Sequence, residues 1–279
     1  MPELPEVQTI INVLKKKPLI NKKIKEVKIV LPKVIKNTTQ TKFKEFMTGE
    51  SIVDIKRKGQ YLIFCLSHNK VWLVHLRMEG KLFFHKQSED IHQSHLMVQL
   101  NFTDGNCLGY YDTRMFGTFH IFKSLNDAYK SKELSKVAID PLDKSFTDKY
   151  LFDEIHHINR AIKTTLLDQT IVSGIGNIYA DEILYMCKIN PLRPAKNCSL
   201  KDCANIVKYS RSILEASMKH KGTTIFSYKF EKNHSGEFQK FLQAHTKEGQ
   251  PCGKCGEKIV KIKVNGRGTY YCPKCQPKE

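Results

Sequence analysis

The chain begins Met1-Pro2-Glu3-Leu4-Pro5-Glu6, and near its other end four cysteines fall in the pattern Cys252-x2-Cys255-x16-Cys272-x2-Cys275. Both ends carry chemistry. Once Met1 is removed, Pro2 presents a free secondary amine. Such an amine can attack an electrophilic carbon and pass to an iminium ion, the covalent route of Schiff-base enzymes. A terminal α-amine titrates near ~8, against about 10.4 for lysine, so far more of it is neutral and able to attack at pH 7. Glu3 stands beside it and can relay a proton. Anions at a helix start are also favoured by ~0.3–1 kcal/mol, so Glu3 and Glu6 equally suit a capping role.

The four cysteines match zinc-ligand spacing. Two turn-like knuckles, PCGKCG and CPKCQ, flank the alternating runs KIVKIKV and GTYYC, the pattern of a zinc-ribbon hairpin. Four thiolates leave no open position, so the expected cofactor is one structural Zn2+. Disulfide pairing is the competing use and is disfavoured in an unexported chain. The remaining Cys65, Cys107, Cys187, Cys198 and Cys203 lack ligand spacing and read as small buried hydrophobes. His75, His95 and His120 read as structural, since no triad or metal spacing accompanies them.

These groups need a scaffold, and composition limits it. The 279 residues fit two or three domains, and 41% hydrophobic content with 10 prolines reads as globular. A formal net charge of +18 points to a polyanionic partner. The charge is spread along the whole chain, which speaks against a basic amphipathic membrane binder. No apolar run is long enough to span a bilayer. The first residues hold acids where a signal peptide has a basic region, so the expectation is a cytoplasmic protein that is not secreted. There are 39 Lys and 7 Arg, and three arginines occupy distinctive segments: Arg77 in HLRMEG, Arg114 in YDTRMFG and Arg267 in GRGTYYC. Arginine's planar fork grips phosphate and stacks on bases as lysine cannot.

The periodicity predicts an amphipathic helix over 3–17, with Val7, Ile10, Ile11 and Leu14 on one face and Pro18 as its end. Strand-like runs follow: IKEVKIV, SIVDIKRKG, QYLIFCL, VWLVHLRM, KLFF, HLMVQLNF, CLGYYDT and GTFHIF, the spacing of an antiparallel sandwich. From about Tyr150 the pattern turns helical, in YLFDEIHHINRAIKTTLL, NIYADEILYMCKI and LKDCANIVKYSRSILEASMKH. The expected class is α+β multidomain: a sandwich with an N-terminal helix over 1–133, a linker over 134–149, a helical region over 150–243 and the hairpin over 244–279.

The chain resembles the Fpg/Nei family of DNA glycosylases, on its oxidised-purine branch. The resemblance rests on MPELPEV, HLRMEG, DTRMFG, IKTTLLDQTIVSGIGNIYADE, HKGTT and GRGTYYC, in the family's order across the whole chain. It implies that Pro2 is the nucleophile at C1′ of the damaged nucleotide, that Glu3 is the general acid–base group and that Glu6 helps position the site. A base must leave the stack before a protein amine can reach C1′. The resemblance assigns Met78, Arg114 and Phe116 to fill the resulting hole; the competing reading for Met78 and Phe116 is the sandwich core. The GIGN turn resembles a helix-two-turn-helix, with Asn177 on phosphate and Arg267 gripping phosphate at the hairpin tip. Lys163 joins them as an expected DNA contact. Two departures stand out. Gln60 occupies the place of a loop lysine that in the family touches the lesion's phosphate, with Lys58 nearby, and Met115 replaces a second basic residue. The lesion pocket is expected from loops such as 223–237.

The function implied is a bifunctional DNA glycosylase/AP lyase of base excision repair. Its partner would be double-stranded DNA containing oxidised bases or abasic sites, met by a monomeric, nucleoid-associated bacterial enzyme. The alternatives are a weakly active or non-catalytic DNA-damage-binding protein, which Gln60 favours, and a glycosylase for oxidised pyrimidines.

Overall fold

Helix α1 forms where the apolar spacing predicts it, over Leu4–Lys16, and Val7, Ile10, Ile11 and Leu14 are all buried. Its start is set by Glu6, whose carboxylate accepts the Glu3 N–H at 2.8 Å. Lys17 ends it just before Pro18, which cannot supply the next helical N–H. The computed structural model describes residues 1–86, 88–89, 94–224 and 234–278.

All eight strand-like runs are strands: β1 (Ile24–Ile29), β2 (Ile52–Lys58), β3 (Tyr61–Leu66), β4 (Val71–His75), β5 (Lys81–Lys86), β6 (Leu96–Phe102), β7 (Asn106–Tyr111) and β8 (Thr118–Phe122). They build two antiparallel four-stranded sheets, in the orders β1-β6-β7-β5 and β2-β3-β4-β8. One apolar core joins residues from both sheets, including Val27, Phe64, Val98, Tyr110 and Phe119. Trp72 stacks on Phe64 with ring centroids 4.5 Å apart and meets Phe119 edge-on at 5.0 Å. Helix α1 packs along β2 and β3. Two short helices escape the apolar-period reading: α2 (Gln40–Met47), which buries Phe43 and Met47, and α3 (Leu125–Lys130). Thr39 and Ser124 cap them through their hydroxyls.

The second half holds α4 (Asp148–Ile155), α5 (Ile162–Leu166), α6 (Asn177–Cys187) and α7 (Leu200–Lys219), then β9 (Val260–Val264) and β10 (Arg267–Tyr271) paired as a hairpin. Helices α4 and α6 pack on α7, and β10 packs on α6. The single helical run expected over 150–167 is broken. Between α4 and α5 the backbone pairs instead with 193–196: Ile162 N–H donates to Arg193 O, Ala195 N–H to Arg160 O and Lys196 N–H to Ile158 O. Tertiary pairing here outweighs helical periodicity.

Two compact units result: Met1–Ser135 with Lys221–Glu237, and Lys136–His220 with Phe238–Glu279. Contact clustering divides the chain differently from the expected segments. Most of the proposed 134–149 linker belongs to the second unit, where Arg211 donates to the carbonyls of Pro141, Asp143 and Phe146. The hairpin shares a unit with the helices. The described residues 221–224 and 234–237 join the sandwich unit; 225–233, within the expected lesion loop, lie outside the described residues. Among the described residues, no helix is long and apolar enough to cross a membrane.

Candidate functional site

Pro2 and Glu3 precede α1 and are buried, Glu3 to 3% exposure. Glu6, 2% exposed, holds this start in place with both carboxylate oxygens. One accepts the Glu3 N–H at 2.8 Å and the other accepts the Thr223 N–H at 2.7 Å. The approach of Thr223 requires Gly222, whose φ is +84° and whose absent Cβ would lie 2.8 Å from Glu6 Oε1. Glu6 therefore does more than cap a helix. It ties the stem of the 223–237 loop to the residues that carry the candidate nucleophile and acid. A buried carboxylate with two N–H donors is a rigid joint.

Lys58 ends β2 and Gln60 lies in the turn that follows. Arg57 braces it, donating to Gln8 Oε1 on α1 at 3.0 Å and to Gly59 O at 3.1 Å. Lys58 is half-buried. Gln60 is 4% exposed, and its Nε2 has no hydrogen-bond partner among the described residues. A buried donor left unpaired costs about 1–3 kcal/mol.

His75, at the end of β4, is buried as expected and accepts the Arg77 N–H on Nδ1 at 3.0 Å. Burial, with help from the Arg77 and His120 charges, pushes its pKa down to about 3, so the ring is neutral near pH 7. Arg77 has φ +55° and is exposed, while Met78 is half-buried. After β7, Arg114 and Phe116 are exposed, Phe116 to 49%, so Phe116 is not a core residue. The Arg114 guanidinium lies over the Phe116 ring, 4.9 Å from its centroid. Met115, between them, packs inward against the sandwich core.

In the second unit the structure brings Asn177, Lys163 and the residue after Arg267 together. Asn177 opens α6 and donates from Nδ2 to Gly268 O at 3.0 Å. Lys163 Nζ donates to the same carbonyl at 3.0 Å and to Thr269 Oγ1 at 2.8 Å. Lys163 is fully buried and ion-paired with Asp181 at 2.7 Å. It therefore does not stand among exposed DNA contacts, as the sequence suggested. Its charge is used inside the protein to hold the hairpin. His245 Nδ1 lies 2.7 Å from the other Asp181 oxygen, and Glu182 accepts the N–H groups of Gln243, Ala244 and His245 at 2.8–2.9 Å. Arg267 is exposed beside the Asn265-Gly266 turn. Sequence reasoning missed Asp112, Asp181, Glu182 and His245. The acidic pair Asp181-Glu182 inside the apolar run NIYADEILYMC was the available signal.

The four cysteine sulfurs all lie within 4.8 Å of one another. The Cys252 and Cys275 sulfurs lie 3.9 Å apart and those of Cys255 and Cys272 3.5 Å apart. A tetrahedron with Zn–S near 2.3 Å places sulfurs about 3.8 Å apart, so the cluster fits one zinc. The knuckle amides of Lys254 and Cys275 point at Cys252 Sγ and Cys272 Sγ, each 3.4 Å away. Burial raises the Cys252 thiol, but hydrogen bonds from the Tyr185 hydroxyl and the amides of Lys254 and Cys255 outweigh it and hold it down at about 6. The zinc is structural, closed by four protein ligands. Of the other cysteines, Cys107, Cys198 and Cys203 are buried as expected, and Cys65 and Cys187 are half-buried.

One unit carries an exposed arginine on a cysteine-clustered hairpin; the other carries a stacked, exposed arginine–phenylalanine pair and a buried, carboxylate-lined chain start. Comparison with known proteins places these features in a family. Three family models match in order: the formamidopyrimidine-DNA glycosylase N-terminal domain over residues 1–119, the formamidopyrimidine-DNA glycosylase H2TH domain over 137–229, and the zinc finger found in FPG and IleRS over 249–278. The chain is 50% identical over 276 residues to the formamidopyrimidine-DNA glycosylase of Ureaplasma parvum, covering 99% of this chain and 100% of that one. Its fold matches Lactococcus lactis Fpg bound to Fapy-dG-containing DNA, with a TM-score of 0.91 at 33% identity over 99% of this chain and 100% of that one. It also matches the same organism's Fpg bound to abasic-site DNA, with a TM-score of 0.90 at 32% identity and the same coverage. The chain belongs to the formamidopyrimidine-DNA glycosylase family.

Proposed function

We infer that this chain is a bifunctional DNA glycosylase/AP lyase of base excision repair that removes oxidised purines. The observation that carries the reading is the end-to-end match to a formamidopyrimidine-DNA glycosylase at 50% identity, with Pro2 and Glu3 buried at the start of α1. In the proposed mechanism, the Pro2 amine, freed by loss of Met1, attacks C1′ of the extruded nucleotide. The bond from C1′ to the base breaks and its electron pair leaves with the base. The Pro2 nitrogen gives up its proton to the Glu3 carboxylate, Glu3 passes a proton to the sugar ring oxygen, the ring opens and the nitrogen lone pair forms the C1′ iminium. Loss of a C2′ proton then expels the 3′ phosphate by β-elimination, and δ-elimination releases the 5′ phosphate. Glu6 keeps Glu3 and the loop stem in register through its two N–H bonds.

Met78, Arg114 and Phe116 would occupy the space left by the extruded base, a role supported by the exposure of Phe116 and the stacking of Arg114 on it. Asn177 and Arg267 would hold phosphates. Gln60 would donate to a backbone or sugar oxygen without adding charge. We propose that the enzyme acts as a monomer on chromosomal DNA in the bacterial cytoplasm.

The test is incubation with duplexes carrying 8-oxoguanine, an oxidised pyrimidine or a pre-formed abasic site, with and without borohydride. Excision of 8-oxoguanine and a borohydride-trapped adduct at Pro2 are expected. A chain shown by mass spectrometry to retain Met1 has an amide at Pro2 and should lose trapping and cleavage while still binding duplex. Wild-type cleavage by that chain would end the Pro2 assignment, and preferential excision of the pyrimidine would overturn the substrate assignment.

A further inference from the structure

The loop over 112–117 is built around one carboxylate. Asp112 is 1% exposed and accepts four hydrogen bonds. Oδ1 takes the Arg114 N–H at 3.0 Å. Oδ2 takes the Tyr110 hydroxyl at 3.0 Å, the Phe116 N–H at 3.0 Å and the Gly117 N–H at 2.8 Å. Nothing larger than glycine fits at 117, because a Cβ there would collide with the Tyr110 hydroxyl. Met115 is pinned in a left-handed conformation, φ +56°, and packs inward. Its two neighbours are thereby turned outward together, with the Arg114 guanidinium already over the Phe116 ring. Three backbone N–H groups of the loop, at Arg114, Phe116 and Gly117, converge on a single buried side chain.

We propose that Asp112 is the positioning residue that preorganises Arg114 and Phe116 as one stacked plate before DNA arrives, and that it thereby governs base extrusion. This rests on the glycosylase reading above. An arginine side chain loses rotamer freedom when it is fixed, and a plate fixed on folding need not be ordered again on binding. The benefit falls on a step that requires a base to leave the stack. It does not fall on cleavage of an abasic site, which has no base to extrude. Asp112 touches no reacting atom in this scheme.

Asp112→Asn tests the idea. The substitution keeps the shape but replaces one acceptor oxygen with an NH2, which must face an N–H or O–H donor whichever way the amide turns. Losing a hydrogen bond to a charged acceptor in a buried site corresponds to roughly tenfold or more. Two measurements are paired. Amide hydrogen exchange of the DNA-free protein should quicken about tenfold at Arg114, Phe116 and Gly117. Single-turnover excision of 8-oxoguanine should slow about tenfold relative to cleavage of a pre-formed abasic site, with binding to undamaged duplex unchanged. In an Arg114→Ala/Phe116→Ala background, adding Asp112→Asn should change that ratio no further. Faster exchange with an unchanged ratio would overturn the proposal, as would equal loss of both activities. A wild-type chain that excises nothing would instead remove the glycosylase reading, leaving the exchange result to stand by itself. Should Asp112→Asn not fold, Tyr110→Phe deletes one donor to the same oxygen and should shift the ratio in the same direction by a smaller factor; no shift there counts against Asp112.

Discussion

Arg114 and Arg267 are both exposed to solvent, and the molecule holds them by different means. The 112–117 loop is organised by Asp112 through partners two to five residues away. The hairpin that carries Arg267 is organised from a distance: Lys163 and Asn177 reach it across 105 and 91 residues, and the four-cysteine cluster joins the segments before β9 and after β10. The charges differ in sign for a physical reason. A loop that turns sharply after a strand exposes successive N–H groups, and an anion collects them. At Gly268 the hairpin turns a carbonyl toward α6, and a cation and an amide donor collect it. A local nest forms with its own segment. A remote brace forms only when several elements have already packed, so it should fail as a unit.

Removing zinc makes the largest difference between the two. Cys252→Ser should release the metal and unfold β9 and β10, because structural zinc contributes about 10–16 kcal/mol of apparent binding free energy that is also folding free energy. Duplex binding should fall steeply. The sandwich, with its own core, should keep its exchange protection and its Asp112 nest. Metal content, hydrogen exchange and a binding titration check this together. If the sandwich lost protection as well, or if metal-free protein still bound duplex, the contrast would not stand.

The same contrast explains what could be read from the chain. Alternating strands and the α1 stripe were legible because burial repeats locally: Val7, Ile10, Ile11 and Leu14 lie where the period puts them. The cysteine spacing was legible because a metal demands it. Helices α2 and α3 are too short to show a period, though Thr39 and Ser124 advertised their starts. The break between α4 and α5 was invisible, since its cause is pairing with residues some thirty positions on. Lys163 was misread for a similar reason. A lysine looks exposed until Asp181, Gly268 and Thr269 are placed around it. Asp112 was within reach, because an aspartate two residues before Arg114 and five before Gly117 is a turn signal.

Lys163→Met probes the remote brace without touching the metal. Breaking a buried ion pair by removing one partner typically costs about 3–5 kcal/mol, since the other charge is left uncompensated. His245 also contacts Asp181 and should soften the loss. Thermal melting of the zinc-loaded protein should show the destabilisation, and hydrogen exchange should place it in α6 and the hairpin. Duplex binding should weaken although the mutated residue is fully buried and Arg267 is intact. An unchanged melt with weaker binding would return Lys163 to the direct DNA contacts that the sequence suggested.

The mildest change is Arg267→Ala, and it sharpens the comparison most. Arg267 is exposed at the hairpin turn, so its loss should leave folding and zinc untouched. If it holds one phosphate, the slope of log affinity against log salt should flatten by about one unit. The loss should be the same for damaged and undamaged duplex, because phosphate carries no base identity. Arg114→Ala should behave differently. It should leave the salt slope nearly unchanged and slow excision of an intact lesion more than cleavage of an abasic site. Titrations at several salt concentrations, run beside single-turnover assays on the two substrates, separate these outcomes. Should both arginines flatten the slope equally, the stacked pair on the sandwich loop would be a second phosphate grip and not a plate for the base-pair gap.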